Sequence, residues 1–420
     1  MTRIRGAGRV TFAALAIPNF RRYYAGQSLS LVGTWMQMAA QSWLVLTLTH
    51  SATALGLIVA LQTLPVLLLG PYGGVVADRV DKRRLMVVLQ AAMGVQALAL
   101  GLLTVTGAVR LWQIGLLAAL LGLNNAFENP ARQAFMLELV GPENLRNAVS
   151  LNSVIVNLAR MIGPAVAGLM IAGVGEGVCF LVNAASFVPV VASLMLLDRT
   201  ALAPSPPSGR EPGQLRAGLR YVRATPELAV PLLMMALAGC LAYEFQVTLP
   251  VMAWQGLHVG AAGFGFMTAA MGLGAVIGGL FVAARGRTGL PTLVAAASSF
   301  GVVLIAAAAA PDLRVELIAL ALAGGASIAF MATGNSTLQL ASDPSMRGRV
   351  MSLWFVAFQG STPIGGPLIG WVIAMAGARA GLGVGGVACL LVALIGLLAL
   401  RRLTAGSRTP ALDGLAMSAR

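Results

Sequence analysis

Apolar residues gather in long runs along the chain, and nearly all charge falls in the short stretches between them. Twelve runs stand out, at 23–48, 54–76, 85–106, 111–137, 147–172, 177–197, 228–251, 260–284, 289–310, 314–339, 350–376 and 380–400. Each is close to or above the roughly 20 residues that a helix needs to cross a bilayer. Gly and Pro recur inside the runs, which would count against helices in water but is ordinary in lipid. The pattern predicts an all-α membrane protein with twelve transmembrane helices.

The longest polar interval, Asp198 to Pro226, divides the runs into two sets of six. Its first part, Pro204-Ser205-Pro206-Pro207-Ser208-Gly209, is a linker. Its second part, Gln214 to Val222, carries apolar Leu215, Leu219 and Val222 among basic Arg216, Arg220 and Arg223. That spacing predicts a short amphipathic helix lying on the inner leaflet. The expected organisation is a lead-in over 1–22, a six-helix half over 23–197, a central loop over 198–226, a second half over 227–400 and a tail over 401–420.

Composition agrees with this division. Of 420 residues, 58% are hydrophobic and only 10% charged, and mean hydropathy is +0.85. Such a balance excludes a soluble globular protein of this length. A net charge of +14 would suit nucleic acid if it formed one patch. Instead it is spread over short loops, so no nucleic-acid partner is expected. With the first span starting inside, 24 of the 28 basic residues fall on the inner side. Only Arg110, Arg314 and Arg379 fall outside, and Arg160 lies within a span. Both termini are therefore expected in the cytoplasm of a bacterial inner-membrane protein, which we read as a monomer in contact with the lipid bilayer. Cys179, Cys240 and Cys389 sit in apolar runs at unrelated spacings and read as small core residues. His50 and His258 fall near run ends, and no cleavable signal is evident.

Between the second and third runs lies Gly73-Gly74-Val75-Val76-Ala77-Asp78-Arg79-Val80-Asp81-Lys82-Arg83-Arg84. Its charge requires a tight turn at the water interface. Gly74, Asp78, Arg79, Lys82, Arg83 and Arg84 resemble the loop joining helices two and three in the major facilitator superfamily. A repeat supports the resemblance. Ser150-Leu151, Gly163-Pro164 and Gly168 are echoed by Ser352-Leu353, Gly365, Pro367 and Gly370, and Ala77-Asp78-Arg79-Val80 by a worn Ala284-Arg285-Gly286-Arg287. The resemblance implies the major facilitator fold, two six-helix halves with a substrate site between them near the midplane.

Several stretches sharpen the resemblance. They are Asn19-Phe20-Arg21-Arg22-Tyr23-Tyr24-Ala25-Gly26-Gln27, the run from Asn129-Pro130-Ala131-Arg132 through Asn157-Leu158-Ala159-Arg160 to Gly168, and Gly218-Leu219-Arg220-Tyr221-Val222. Together they resemble the enterobactin-exporter-like, transmembrane secretion effector branch of drug/proton antiporters, over nearly all of the chain up to about Leu403. Gly163, Pro164 and Gly168 also look like the span-five motif of proton-coupled exporters, where the proline bends the helix and glycines permit close packing. One feature departs from related antiporters, which often carry an arginine early in span four: Leu111 to Phe127 contains no Arg or Lys.

Charges in mid-membrane are costly and are kept for pairing or function. The charges within the spans are Glu128 and Arg132 in span four, with Arg132 near the inner surface, Arg160 in span five and Glu244 in span seven. Depth along the helices makes a Glu128–Arg160 pair feasible. Glu244 has no basic neighbour in its own span and is the first candidate for proton coupling or for binding a cationic group.

By the resemblance, spans one, four, seven and ten line the cavity, and these spans hold Gln37, Gln41, Asn124, Asn125, Gln246, Asn335 and Gln339. The resemblance further implies that Asp78 sits against the start of span eleven, near Arg349 to Ser352. Arg79 is expected to pair with Glu138 or Glu143, with Arg83 in the same gating loop. The expected function is proton-driven export of an amphiphilic small molecule, drug-like or siderophore-like, with no cofactor beyond the proton gradient. The alternatives are an importer or facilitator, and a membrane receptor or assembly factor without transport. No Gly-x-x-x-x-Gly-Lys loop and no His/Asp/Glu/Ser cluster at one membrane face speaks for an ATP-driven pump or a membrane hydrolase.

Overall fold

The computed structural model describes residues 13–203 and 214–406. The beginning of the expected lead-in, the Pro-rich linker and the tail beyond residue 406 lie outside the described residues.

All the regular elements among the described residues are helical, as expected. In order they are α1 (Pro18–Thr49), α2 (Ala52–Arg79), α3 (Lys82–Val105), α4 (Leu111–Val174), α5 (Glu176–Met195), α6 (Gln214–Ala224) and α7 (Pro226–Ala242). There follow α8 (Phe245–Val251), α9 (Gly260–Arg285), α10 (Leu290–Ala308), α11 (Leu313–Ala341), α12 (Arg347–Gln359), α13 (Thr362–Ala376) and α14 (Ala378–Gly406). Nine helical stretches among the described residues are long and apolar enough to cross a bilayer. The order is consistent with twelve crossings, for three physical reasons. The 64-residue α4 joins spans four and five through Gly141, whose φ of 69° and ψ of 169° leave the helical region. Pro142 then opens the second arm, a position suited to its missing N–H. The polar α1 and the interrupted α12–α13 supply the spans that apolarity and length alone miss.

Local chemistry sets the turns. Ser51 caps α2 by accepting from the Ala54 N–H at 3.2 Å. Asp81 does the same for α3 from Arg84 at 3.0 Å, and Asp312 for α11 from Val315 at 3.0 Å. Both histidines adopt left-handed backbone, φ 52° at His50 and 56° at His258, and serve as turning points. On the face where the described residues begin and end, here the terminal face, Asn19 clamps the first span to the sixth. Its amide donates to the Asp198 carbonyl at 2.8 Å and accepts from the Asp198 N–H at 3.1 Å. The exposed Asp198 carboxyl is held below its usual range by the Thr200 hydroxyl and amide.

The two halves meet along two helix pairs, α4 with α9 and α2 with α13. Glycines make both contacts possible. A Cβ on Gly168 would lie 2.6 Å from the Ala261 carbonyl oxygen, and one on Gly265 would lie 2.7 Å from that of Pro164. Gly56 faces the backbone of Gly366, and Gly370 faces that of Ala52, just as closely. Trp43 stacks on Phe264 with ring centroids 6.0 Å apart, and His50 meets Trp254 at 4.9 Å, toward the distal face.

Span eleven changes partner along its length. Its distal arm, α13, lies along α2 of the N-terminal half, whereas its terminal arm, α12, packs on α6 and α7. The amphipathic α6 lies against protein: Gly218 fits against Arg349, and the Tyr221 hydroxyl bonds to Asp343 at 3.1 Å.

Gly56→Ala pushes a methyl into the Gly366–Pro367 backbone and is expected to cost about 1–3 kcal/mol, read as a lowered unfolding temperature of the purified protein. Gly279→Ala, whose Cβ meets only Ile328 at 3.9 Å, should leave that temperature unchanged.

Candidate functional site

Polar side chains in the N-terminal half are engaged with one another. Asn183 donates to Gln37 at 2.7 Å, Gln37 to Gln96 at 2.9 Å, and Gln96 to the Leu117 carbonyl at 3.3 Å. This chain ties α1, α3, α4 and α5 together. Gln41 donates to Gln62 of α2 at 3.2 Å, and Asn124 to the Leu89 carbonyl of α3 at 2.8 Å. The sequence expectation placed Gln37, Gln41 and Asn124 on a substrate cavity. In this conformation all three are buried and bonded within their own half, because a buried amide left without a partner is costly. Asn125 is half-buried on the same helix.

The expected Glu128–Arg160 pair is not formed. Glu128 instead binds Arg132, with Nε to Oε1 at 3.1 Å, and accepts from Gln90 at 3.3 Å. Arg132 also donates to Asn129 at 3.2 Å. Glu128 and Arg132 are four residues apart on one helix face and meet directly. Arg160 lies on the other arm of α4, beyond the Gly141 break, and turns toward α1. Its guanidinium sits 4.8 Å from the Trp35 ring centroid, a cation–π contact. Tyr23 completes the acidic–basic cluster. It is buried edge-on against Phe135, near Glu128 and Arg132, and its hydroxyl has no hydrogen-bond partner among the described residues.

Gly163 packs on Trp35 and Met36 of α1, while Gly168 packs on α9. The helix passes Pro164 in helical geometry, Gly141 being the non-helical residue within α4.

The loop between α2 and α3 differs from expectation in one pairing. Glu138 is taken by Lys82, at 2.7 Å, and Arg79 is exposed. Lys82 opens α3 and points back at α4, whereas Arg79 ends α2 on its solvent side. Arg83 is buried and donates to the Leu194 carbonyl at 2.6 Å and to that of Met195, satisfying the last turn of α5. Gly74 is buried, and Asp78 half-buried.

In the C-terminal half two spans are broken. Span seven stops at Ala242 and restarts at Phe245, with Tyr243 and Glu244 between. Span eleven stops at Gln359 and restarts at Thr362, with Gly360 and Ser361 between. The two breaks meet. The Glu244 carboxylate, with the residue 3% exposed, lies against the first turn of α13, within reach of the Thr362 hydroxyl. A Cβ on Gly365 would sit 2.7 Å from Glu244 Oε1, so glycine there admits the carboxylate. Oε1 has no hydrogen-bond partner, and Glu244 no ion pair, among the described residues. Within that turn Pro363 has no N–H, and the Ile364 and Gly365 amides donate to the Ser361 carbonyl at 3.0 and 2.8 Å, so what the helix N-terminus offers such a charge is its dipole. Next to it, Tyr243 donates to the Ser327 carbonyl of α11 at 2.7 Å and packs among Phe245, Phe300 and Phe358.

Gln246 and Asn335 are half-buried. Gln339 is exposed, donates to Asn335 at 2.6 Å and accepts from Arg347 at 2.9 Å through its carbonyl, near the terminal end of α11.

Sequence reasoning missed Thr362 and Tyr23, as well as Glu316. Glu316 is fully buried, and neither carboxyl oxygen has a hydrogen-bond partner among the described residues. Its place in the first turn of α11 made it resemble an interfacial acid. The Ser361-Thr362-Pro363 step was the available signal for a helix restart, since Ser/Thr before Pro marks an N-terminus.

The sequence matches the profile described as transmembrane secretion effector over residues 9–413. It is 29% identical over 398 residues to the enterobactin exporter EntS of Shigella boydii serotype 18 (strain CDC 3083-94 / BS512), covering 94% of each chain. It is 33% identical over 176 residues to the staphyloferrin A transporter of Staphylococcus aureus (strain NCTC 8325 / PS 47), covering 41% of this chain and 44% of that one. Among solved structures it resembles the nucleoside transporter NupG, with TM-score 0.74 and 11% identity over 91% of this chain and 99% of that chain. It also resembles a bacterial homologue of the human lysosomal transporter Spinster in an inward-facing, unoccupied conformation, with TM-score 0.71 and 16% identity over 93% and 99%. Those structural likenesses bear on the fold alone.

A double-mutant cycle on unfolding should separate the two charge pairings. Glu128→Gln with Arg132→Gln is expected to couple by more than about 1 kcal/mol, and Glu128→Gln with Arg160→Gln by less than about 0.5 kcal/mol. Equal coupling would contradict the observed pairing.

Proposed function

From the chain's membership of the transmembrane secretion effector family of membrane transporters, we propose that it is a proton-coupled exporter of an amphiphilic small molecule, working by alternating access. The observation that carries this reading is Glu244, an unpaired carboxylate seated where spans seven and eleven are both broken. Discontinuous helices at mid-membrane are where secondary transporters hold ions and substrates.

The proposed step is electrostatic. Ionised Glu244 is attracted to the N-terminus of α13, an interaction worth about 0.3–2 kcal/mol depending on burial. A proton on the carboxylate removes that attraction. The segments Tyr243–Glu244 and Gly360–Ser361 then re-bend, and α12 moves relative to α13. Because α13 lies along α2 and α12 packs on α6 and α7, this bending alters how the halves meet at the terminal face. Arg83, Lys82 and the Glu128–Arg132 pair keep the N-terminal half rigid while this happens.

The substrate class is a siderophore or a similarly amphiphilic metabolite. The named relatives support that reading, as do the half-buried Asn125, Gln246 and Asn335. The protein works as a monomer in a bacterial inner membrane with both ends in the cytoplasm, and the proton gradient supplies the energy.

In energised inverted vesicles, candidate siderophores and lipophilic compounds should release the proton gradient. Glu244→Gln should abolish that release to the level of vesicles lacking the protein, at unchanged protein abundance. Substrate movement without proton movement in the wild type would contradict proton coupling. Proton release undiminished in Glu244→Gln would remove Glu244 from the mechanism.

A further inference from the structure

The ends of α9 and α10 at the terminal face flank a cavity of about 460 Å³, with α11 behind it. Its walls are mostly apolar, formed in part by Phe281, Ala295 and Ala329 with the hydroxyls of Ser299 and Thr333, and Arg285 and Arg287 stand among them. Phe281, Ala295 and both arginines are exposed, so the cleft opens on the outer surface of the helix bundle.

The local backbone sets the arginines in place. Arg285 ends α9 and lies 4.2 Å over the Phe281 ring. Gly286 takes a left-handed turn with φ of 58°, bringing Arg287 round to the same cleft. No acidic residue lines the cleft, and neither arginine has an ion pair among the described residues. Across from them α10 begins without a side-chain cap. The Gly289 N–H is used by Thr337 at 2.9 Å, but the amides of Leu290 and Thr292 lie in the first turn, where no intrahelical acceptor exists. Two guanidinium groups and a helix N-terminus are a phosphate-binding combination. The apolar cleft beyond them suits a hydrocarbon chain. Basic pockets between membrane helices take anionic lipid headgroups.

We propose that this cleft is a binding site for an anionic phospholipid. Its phosphate is held by Arg285, Arg287 and the first turn of α10. One acyl chain lies between α9 and α10, filling the space between two spans that are each packed on α11. A free phosphate would use the same polar groups but leave the apolar cleft empty.

The purified full-length protein, titrated with phosphatidylglycerol or phosphatidylcholine and read by native mass spectrometry, tests this. Phosphatidylglycerol should bind roughly tenfold more tightly than phosphatidylcholine. That preference should vanish in Arg285→Gln/Arg287→Gln and persist in Arg220→Gln/Arg223→Gln, which removes the same charge from α6. Ala295→Trp, filling the cleft with both arginines intact, should weaken phosphatidylglycerol as well. Equal loss in the two arginine pairs would show general surface charge and overturn the proposal. So would full displacement of the lipid by inorganic phosphate, or unaltered lipid binding in Ala295→Trp.

Discussion

A carboxylate in the middle of a membrane protein must find positive potential or give up its charge. Glu244 is placed where two helices end and begin again, against the first turn of α13 and within reach of the Thr362 hydroxyl. The arrangement depends on both interruptions together. A side chain at Gly365 would keep the carboxylate out. The acid, the irregular backbone of spans seven and eleven and the point where span eleven changes partners thus coincide.

The N-terminal half meets the same demand by a different route. Its acid lies on a continuous helix beside its own base, Glu128 with Arg132, and its amides are closed into a network running from Gln37 to Asn183. The halves share a plan but differ in how their polar groups are satisfied. The repeated glycines show the shared plan. Gly163 and Gly168 on span five, and Gly365 and Gly370 on span eleven, lie at helix crossings, Gly168 and Gly370 between the halves. The sequence repeat therefore marks where backbones must approach closely.

This explains what could be read from the sequence. Apolar runs, basic loops and paired glycines follow from lipid contact and close packing, which act locally, so the helical class and the order of the spans were legible. Partner choice was harder. Depth along a helix made Glu128 and Arg160 look suited to each other, but rotation about the axis turned Arg160 onto Trp35. Likewise Lys82, not Arg79, faces Glu138. Gln37, Gln41 and Asn124 read as cavity residues because polarity in a span is conspicuous, yet helix-to-helix bonding satisfies the same polarity. Glu316 escaped notice because burial at a span end depends on neighbours far away in the chain.

The most direct test concerns the link between the two breaks. Hydrogen–deuterium exchange in reconstituted protein can follow the amides around Tyr243–Glu244 and around Gly360–Thr362 in wild type and in Glu244→Gln. If the Glu244 charge holds the breaks together, neutralising it raises exchange in both segments together. Faster exchange in span seven alone, or no change in either, would contradict the account.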